Sequence, residues 1–368
     1  MSYDRTKPYN QLPLLPPPNE MIMTMEVMQA MSNANRALAE LKGLARKLPN
    51  QSMLVNTIAL REAKASTEIE NIFTTDDDLY KALSGNESGL TANAKEVLRY
   101  RQALWAGFNT IQAEKAVSKE LLLAIYQQIK ELNDGFRPPF SEVVIRRRGS
   151  DLPGGTVVYT PPRGEGVLDG KLDNLIEYIN DDERYPYDPL IKLAVAHYQF
   201  EAIHPFRDGT GRTGRILNIL LLVHKNLLEI PILYLSSYII ENKDDYYTLL
   251  NNVTTRHKWD EWLLYMFRCV EKTSLFTISR INEIDALFSR TYEVVGKKLP
   301  HISKEVIEKI FEQPYVSPRA LLSPDVRSLN TAKKYLSQLC DLGIMTPKKL
   351  GKEIIYINLD LFNLLSET

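Results

Sequence analysis

Twelve consecutive residues carry most of the reactive chemistry in this chain: His204-Pro205-Phe206-Arg207-Asp208-Gly209-Thr210-Gly211-Arg212-Thr213-Gly214-Arg215. A histidine ordinarily titrates near neutrality, and His204 can take a proton from an attacking hydroxyl. Gly209 and Gly211 tolerate positive φ and close approach, so backbone N–H groups can converge on one concavity. A helix beginning at this point adds free N–H groups and a dipole that favours an anion. Arg212 and Arg215, three apart, share one face of its first turn, where guanidinium forks clamp phosphate oxygens. Asp208 has no use as a phosphate ligand but suits a Mg²⁺ that bridges two phosphates. Phe206 reads as an anchor into the core, and Arg207 receives no role. The chemistry indicated is attack by a hydroxyl beside bound, metal-bridged phosphates.

Two plainer readings compete. A lone histidine after an amphipathic helix is more often structural than catalytic. Residues 209–214 also match G-x-G-x-x-G, the fingerprint of a dinucleotide fold, with Glu229 at a tolerable distance. That reading requires a preceding strand, whereas residues 191–200 have a helical pattern and no βαβ alternation surrounds them. No P-loop motif occurs.

The surrounding elements are mostly helices. Ile22, Met25, Met28, Met31, Ala34, Leu38 and Leu41 recur at helical spacing and predict a core-facing stripe, ended by Pro49. Further helices are expected over 52–72, 91–112 and 118–132, the last capped by Ser118. Residues 141–160 alternate as a hairpin whose tip holds Gly149, Pro153, Gly154 and Gly155. Helices resume over 168–181, 188–203, 211–225 and 244–295. The Pro-rich segment 7–18 predicts an extended arm packed along the protein itself. In the tail, three short helices punctuated by Ser317-Pro318 and Ser323-Pro324 precede two strands between Ile344 and Leu361, turning at Leu350-Gly351-Lys352. This is the order of a winged helix-turn-helix.

Composition sets limits. The 368 residues suggest two or three domains, and 45 Lys+Arg against 46 Asp+Glu exclude a polycation. Cys269 and Cys340 cannot build a disulfide scaffold and read as small buried hydrophobes in a reducing compartment. Met1 to Pro18 has no apolar signal region, and no apolar run approaches the length of a membrane span, so a cytoplasmic protein is expected.

At residues 204–215 the sequence resembles the Fic family, whose motif is H-x-F-x-[DE]-G-N-G-R-x-x-R, with Thr210 where asparagine is usual. The resemblance implies a mainly α fold, a Fic helical core with a β-hairpin flap, that binds ATP with Mg²⁺ and transfers AMP to a protein hydroxyl. It implies His204 as general base and Asp208 as metal ligand. Gly209, Thr210 and Gly211 would form the anion hole, with Arg212 on the α- and β-phosphates and Arg215 on the γ-phosphate. Thr213, Gly214 and Tyr247, the last from the pair Tyr246-Tyr247, complete the expected ATP-binding set. The hairpin at 143–160 resembles the family's flap, which docks a target segment by strand addition. Ser66, Glu70 and Asn71 resemble the family's inhibitory pattern [ST]-x-x-x-E-[GN]. Glu70 would then pair with Arg215 in place of the γ-phosphate, with Ser66 one turn earlier fixing its orientation.

The expected division is an N-terminal arm and helices over 1–112, a catalytic core over 113–296 and a winged-helix domain over 297–368. That last segment holds eleven Lys+Arg against eight Asp+Glu, with Lys333 and Lys334 on the expected recognition helix and Lys348, Lys349 and Lys352 on the wing. DNA, through phosphate contacts, is therefore a candidate partner beside ATP and a target protein, as is a second copy of the chain. A reading from another class is a transcription regulator whose helical part senses a nucleotide and whose tail binds DNA. A third keeps the fold and changes the donor, since relatives move phosphocholine, phosphate or UMP.

Overall fold

The computed structural model describes residues 3–47, 51–83, 90–147, 156–350 and 353–366. Pro49, the hairpin-tip Gly149, Pro153, Gly154 and Gly155, and the wing-tip Gly351 and Lys352 lie outside them. In chain order the elements are α1 (Asn19–Ile22), α2 (Met25–Lys47), α3 (Gln51–Ile69), α4 (Asp76–Leu83), α5 (Ala92–Glu114) and α6 (Lys119–Lys130). The hairpin strands β1 (Ile145–Arg147) and β2 (Thr156–Tyr159) follow. Then come α7 (Val167–Asn180), α8 (Pro189–Ile203), α9 (Thr210–His224), α10 (Leu235–Glu241), α11 (Lys243–Arg256) and α12 (Trp259–Lys298). The tail holds α13 (Lys304–Lys309), β3 (Tyr315–Val316), a 3₁₀ turn (Pro318–Leu321), α14 (Leu329–Asp341), β4 (Thr346–Leu350), β5 (Glu353–Ile357) and α15 (Leu359–Ser366).

Two helices form the centre. α8 starts at Asp188, whose carboxylate accepts from the Leu190 N–H at 2.8 Å, with Pro189 pre-set for the first turn. It is apolar on nearly every side and almost wholly buried, as a helix without a polar face must be. α9 is buried just as completely and packs against it. α5 and α6 cover α9, α7 covers α8, and α3 lies against α5 and α10. Ser118 caps α6 as expected, accepting from the Leu121 N–H at 3.1 Å. The Pro-rich arm lies along the protein: Lys171 and Gln199 donate to the Leu12 and Pro13 carbonyls, and Asn174 exchanges two hydrogen bonds with the Leu15 backbone.

Several expectations need correction. The first helix is broken at Met23-Thr24; the expected stripe is buried at Ile22, Met31, Ala34, Leu38 and Leu41 and fails only at the start of α2. Val27, Met31, Ala34, Leu38, Leu41 and Ala45 are buried, whereas Met25 is 84% exposed and Met28 also reaches solvent. The short helices α4 and α10 have 8 and 7 residues, about two turns, too few to show a period of their own. Between the two Ser-Pro pairs the tail makes only a 3₁₀ turn. The chain after Ile357 is helical, not extended, because the Asn358 side chain accepts from the Leu361 N–H at 3.1 Å and starts α15. The tail's sheet has the order β3-β5-β4, antiparallel throughout, and β3 was not foreseen. Cys269 is fully buried; Cys340 is only partly so.

Candidate active site

The loop between α8 and α9 is built by backbone geometry. His204 ends α8 in the left-handed region, φ 49°, and Gly209 opens α9 at φ 90°. Phe206 is buried beneath the loop, stacked on Tyr126 at 4.0 Å and on Phe136 at 5.2 Å. The Thr210 hydroxyl donates to the Phe206 carbonyl at 3.2 Å and accepts from the Phe206 N–H at 3.3 Å, closing the turn. It is thus turned into the loop. The Thr213 hydroxyl likewise donates back to the Gly209 carbonyl. A Cβ on Gly214 would lie 2.5 Å from a Glu201 carboxylate oxygen, so this glycine serves the contact between α8 and α9. No side chain caps α9, leaving its first N–H groups available to an anion.

Arg137 braces the loop from outside. Its guanidinium donates to the carbonyls of His204 (2.7 Å), Ile203 (3.0 Å) and Pro162 (2.5 Å), joining the end of α8 to the end of the flap. The Tyr159 hydroxyl at the foot of β2 donates to the Ala202 carbonyl. Arg137→Met leaves three carbonyls without their donor. It should cost about 3 kcal/mol of stability, read from a denaturant midpoint, together with loss of transfer activity. A stable, fully active variant would deny Arg137 this role.

Burial first, then the charge of Arg137, lowers the His204 imidazole to about 4, and its Nδ1 has no partner. The ring is therefore neutral at pH 7 with a lone pair to spare. Burial, opposed by the Arg215 charge and helped by that of Glu70, raises Glu201 to about 7, and one of its oxygens is also unpartnered. Asp208, 68% exposed, pairs with Lys130 Nζ at 2.6 Å and Arg212 Nη2 at 3.2 Å. Arg212 is buried and its Nη1 pairs closely with Glu96 of α5.

Ser66 and Glu70 meet Arg215. Its Nε donates to the Ser66 hydroxyl at 2.8 Å, and its Nη2 donates to the Ser66 carbonyl at 2.9 Å and Glu70 Oε1 at 2.8 Å. Burial works to raise the Glu70 carboxyl, but the charge and hydrogen bond of Arg215 outweigh it and hold it below its ordinary value. Glu70 Oε1 would lie 2.7 Å from a Cβ on Gly211, so the glycine makes room for the carboxylate. Asn71 follows at φ 62°, a left-handed position that explains a Gly or Asn there. Tyr247 stands at the rim, 44% exposed, edge-on to the buried Tyr246 at 5.2 Å; the Tyr246 hydroxyl bonds His197 instead.

Four contributors were not foreseen: Glu62, Glu96, Lys130 and Arg137. Glu62 accepts from the Tyr100 hydroxyl and from the Ser236 N–H and hydroxyl, which pins α3. Its signal was present, because Glu62, Ser66 and Glu70 fall four apart on one helical face. The other three come from separate elements, and no local pattern marks them.

Residues 28–109 match the model described as Fic/DOC family N-terminal, residues 116–222 the Fic/DOC family, and residues 287–361 the C-terminal domain of SoFic-like protein adenylyltransferases. The chain is 30% identical over 155 residues to protein adenylyltransferase fic-1 of Caenorhabditis briggsae, covering 41% of this chain and 28% of that one. It is 29% identical over 184 residues to a probable protein adenylyltransferase of Aquifex aeolicus, covering 48% and 52%. The matches thus span about half or less of those relatives' lengths. A Fic family protein from Desulfovibrio desulfuricans shares the fold with a TM-score of 0.58 at 18% identity, over 91% of this chain and 96% of that one. Fic-1 from C. elegans superimposes with a TM-score of 0.52 at 18% identity, over 69% and 73%. A helical core of this fold, carrying the His204–Arg215 loop inside the matched segments, places the chain in the Fic/DOC family.

Proposed function

We propose that the chain is a protein adenylyltransferase that moves AMP from ATP to a Ser, Thr or Tyr hydroxyl of a target protein or of itself, and that Glu70 restrains it. The Arg215–Glu70 pair beside a neutral His204 and an uncapped helix N-terminus carries this reading. The target hydroxyl gives its proton to His204, its oxygen bonds the α-phosphorus, and pyrophosphate leaves. Positioning and charge stabilisation do most of the work, as in phosphoryl-type transfers. The backbone N–H groups at Gly209 to Gly211 and the two arginines hold the phosphates, with Tyr247 at the adenine end. The hairpin 143–160 receives the target segment through backbone hydrogen bonds. Labelling with α- and γ-labelled ATP in parallel tests the reaction: label from the α position alone on protein is expected, and label from γ would mean phosphate transfer.

Asp208 fits Mg²⁺. It is a hard, exposed carboxylate already surrounded by cations, and no cluster of three or more acidic, His or Cys ligands occurs among the described residues. One carboxylate with substrate phosphates is the usual provision for this ion, which would neutralise phosphate charge there. Lys130 now holds a cation's place at Asp208. Lys130→Met should therefore lower the Mg²⁺ concentration for half-maximal labelling about two- to fivefold. An unchanged or higher requirement would show that Lys130 does not compete.

The division into 1–112, 113–296 and 297–368 gives these roles to an inhibitory segment, a catalytic core and a winged-helix tail. Exposed Lys333 and Lys334 on α14 favour a DNA contact for the tail. The two free cysteines suit a cytoplasmic setting, and no helix among the described residues is long and apolar enough to cross a membrane.

A further inference from the structure

Both arginines of the loop are held by carboxylates from the N-terminal helices, but in different ways. Glu70 shares with Ser66 the Nε and Nη2 side of Arg215. Arg212 is divided: Nη1 sits on Glu96 of α5, while Nη2 reaches Asp208 inside the loop. The Arg212 side chain is 2% exposed and its Nε has no partner; those two carboxylates are its direct partners, with the Glu70 charge acting on it from further off.

We propose that Glu96 is a positioning residue for Arg212, keeping one end of its guanidinium fork so that the other end can turn from Asp208 to a phosphate. This rests on the nucleotide-transfer reading given above. When Asp208 is committed to a metal, Arg212 loses one of its two bonded carboxylates, and in a chain without the Glu70 carboxylate Glu96 is the one that stays. A buried guanidinium left without a counter-charge is costly and free to rotate. Glu96 approaches from outside the loop, so its contact need not change when phosphate arrives. Its helix is well placed for this. α5 is capped by Thr91 and lies between α3, α6 and α9. One turn after Glu96, on the same face, Tyr100 donates to Glu62. The α5 face therefore serves both arginines, Arg212 directly and Arg215 through the helix that carries Ser66.

Nucleotide binding tests this, with the full chain carrying Glu70→Gly so that the Glu70 carboxylate does not mask the site. Affinities for ADP and adenosine are compared by calorimetry. Glu96→Gln keeps the shape and removes the charge. It should weaken ADP binding at least roughly tenfold and leave adenosine binding unchanged, with Glu96→Asp recovering part of the loss. In an Arg212→Ala background the same substitution should change nothing further. ADP affinity that is unchanged or tighter, an equal loss for adenosine, or a loss that persists without Arg212 would each overturn the proposal. A parent that binds ADP no better than adenosine would overturn it as well. If the parent prefers ADP yet transfers no α-label, the transferase reading fails while Glu96 is still judged by the ADP-to-adenosine ratio.

Discussion

His204→Ala should bind ATP nearly as the parent does and transfer AMP about 10²–10⁴-fold more slowly. The base acts only on the attacking hydroxyl, whereas the phosphates meet the glycine turn and the arginines. The pH profile carries a second signature. Burial and the Arg137 charge lower His204 to about 4, below the unfolded value of 6.5. The rate should therefore stay level from about pH 8 to about pH 5 and fall only as the ring protonates near 4, not near 6.5. Stability follows the same sign. The unfolded chain binds this proton more readily, so the His204 contribution is present above about 6.5 and is lost as pH falls towards about 4. A variant that modifies its target at the normal rate, or a rate that falls with a midpoint near 6.5, would remove His204 from the reaction.

What the sequence disclosed and what it hid follow from locality. Residues 204–215 were legible because a tight turn into a helix N-terminus demands particular types at fixed spacing: a left-handed His204, Gly209 at positive φ, and arginines one turn apart. Ser66, Glu70 and Asn71 were legible as a pattern only, since nothing in a helical turn says which distant residue it meets. Contact with Arg215 is made across 145 positions of chain. Glu96, Lys130 and Arg137 stayed hidden for the same reason, because each is an ordinary charged side chain until the helices pack. At Thr210, where the family usually has asparagine, the short side chain on a closed turn bonds the Phe206 backbone, a contact that no local pattern announces. The helical stripe was legible over most of its length, with Ile22, Met31, Ala34, Leu38 and Leu41 buried, and was lost only beside the break at Met23-Thr24, where Met25 and Met28 reach solvent.

Glu70→Gly should speed transfer by about 100-fold at saturating ATP. With Arg215 held by Glu70 at 2.8 Å, the γ-phosphate has no free guanidinium to meet. On the proposed reading ATP would then bind with its α-phosphate displaced, and misplacing a reacting group by about 1 Å can cost ~100-fold. Removing the carboxylate frees Arg215, while Ser66 still fixes its Nε. The protein should also become slightly less heat-stable, having lost an ion pair and gained a flexible residue before the left-handed Asn71. Arg215→Ala should not be faster, because it abolishes the same pair but also deletes the γ-phosphate ligand. Opposite outcomes for the two substitutions separate restraint from catalysis, which neither does alone. Initial rates of α-label transfer decide the matter. A Glu70→Gly protein no faster than the parent would make Ser66 to Asn71 an ordinary helix end that packs on Arg215, and control of the enzyme would have to lie elsewhere.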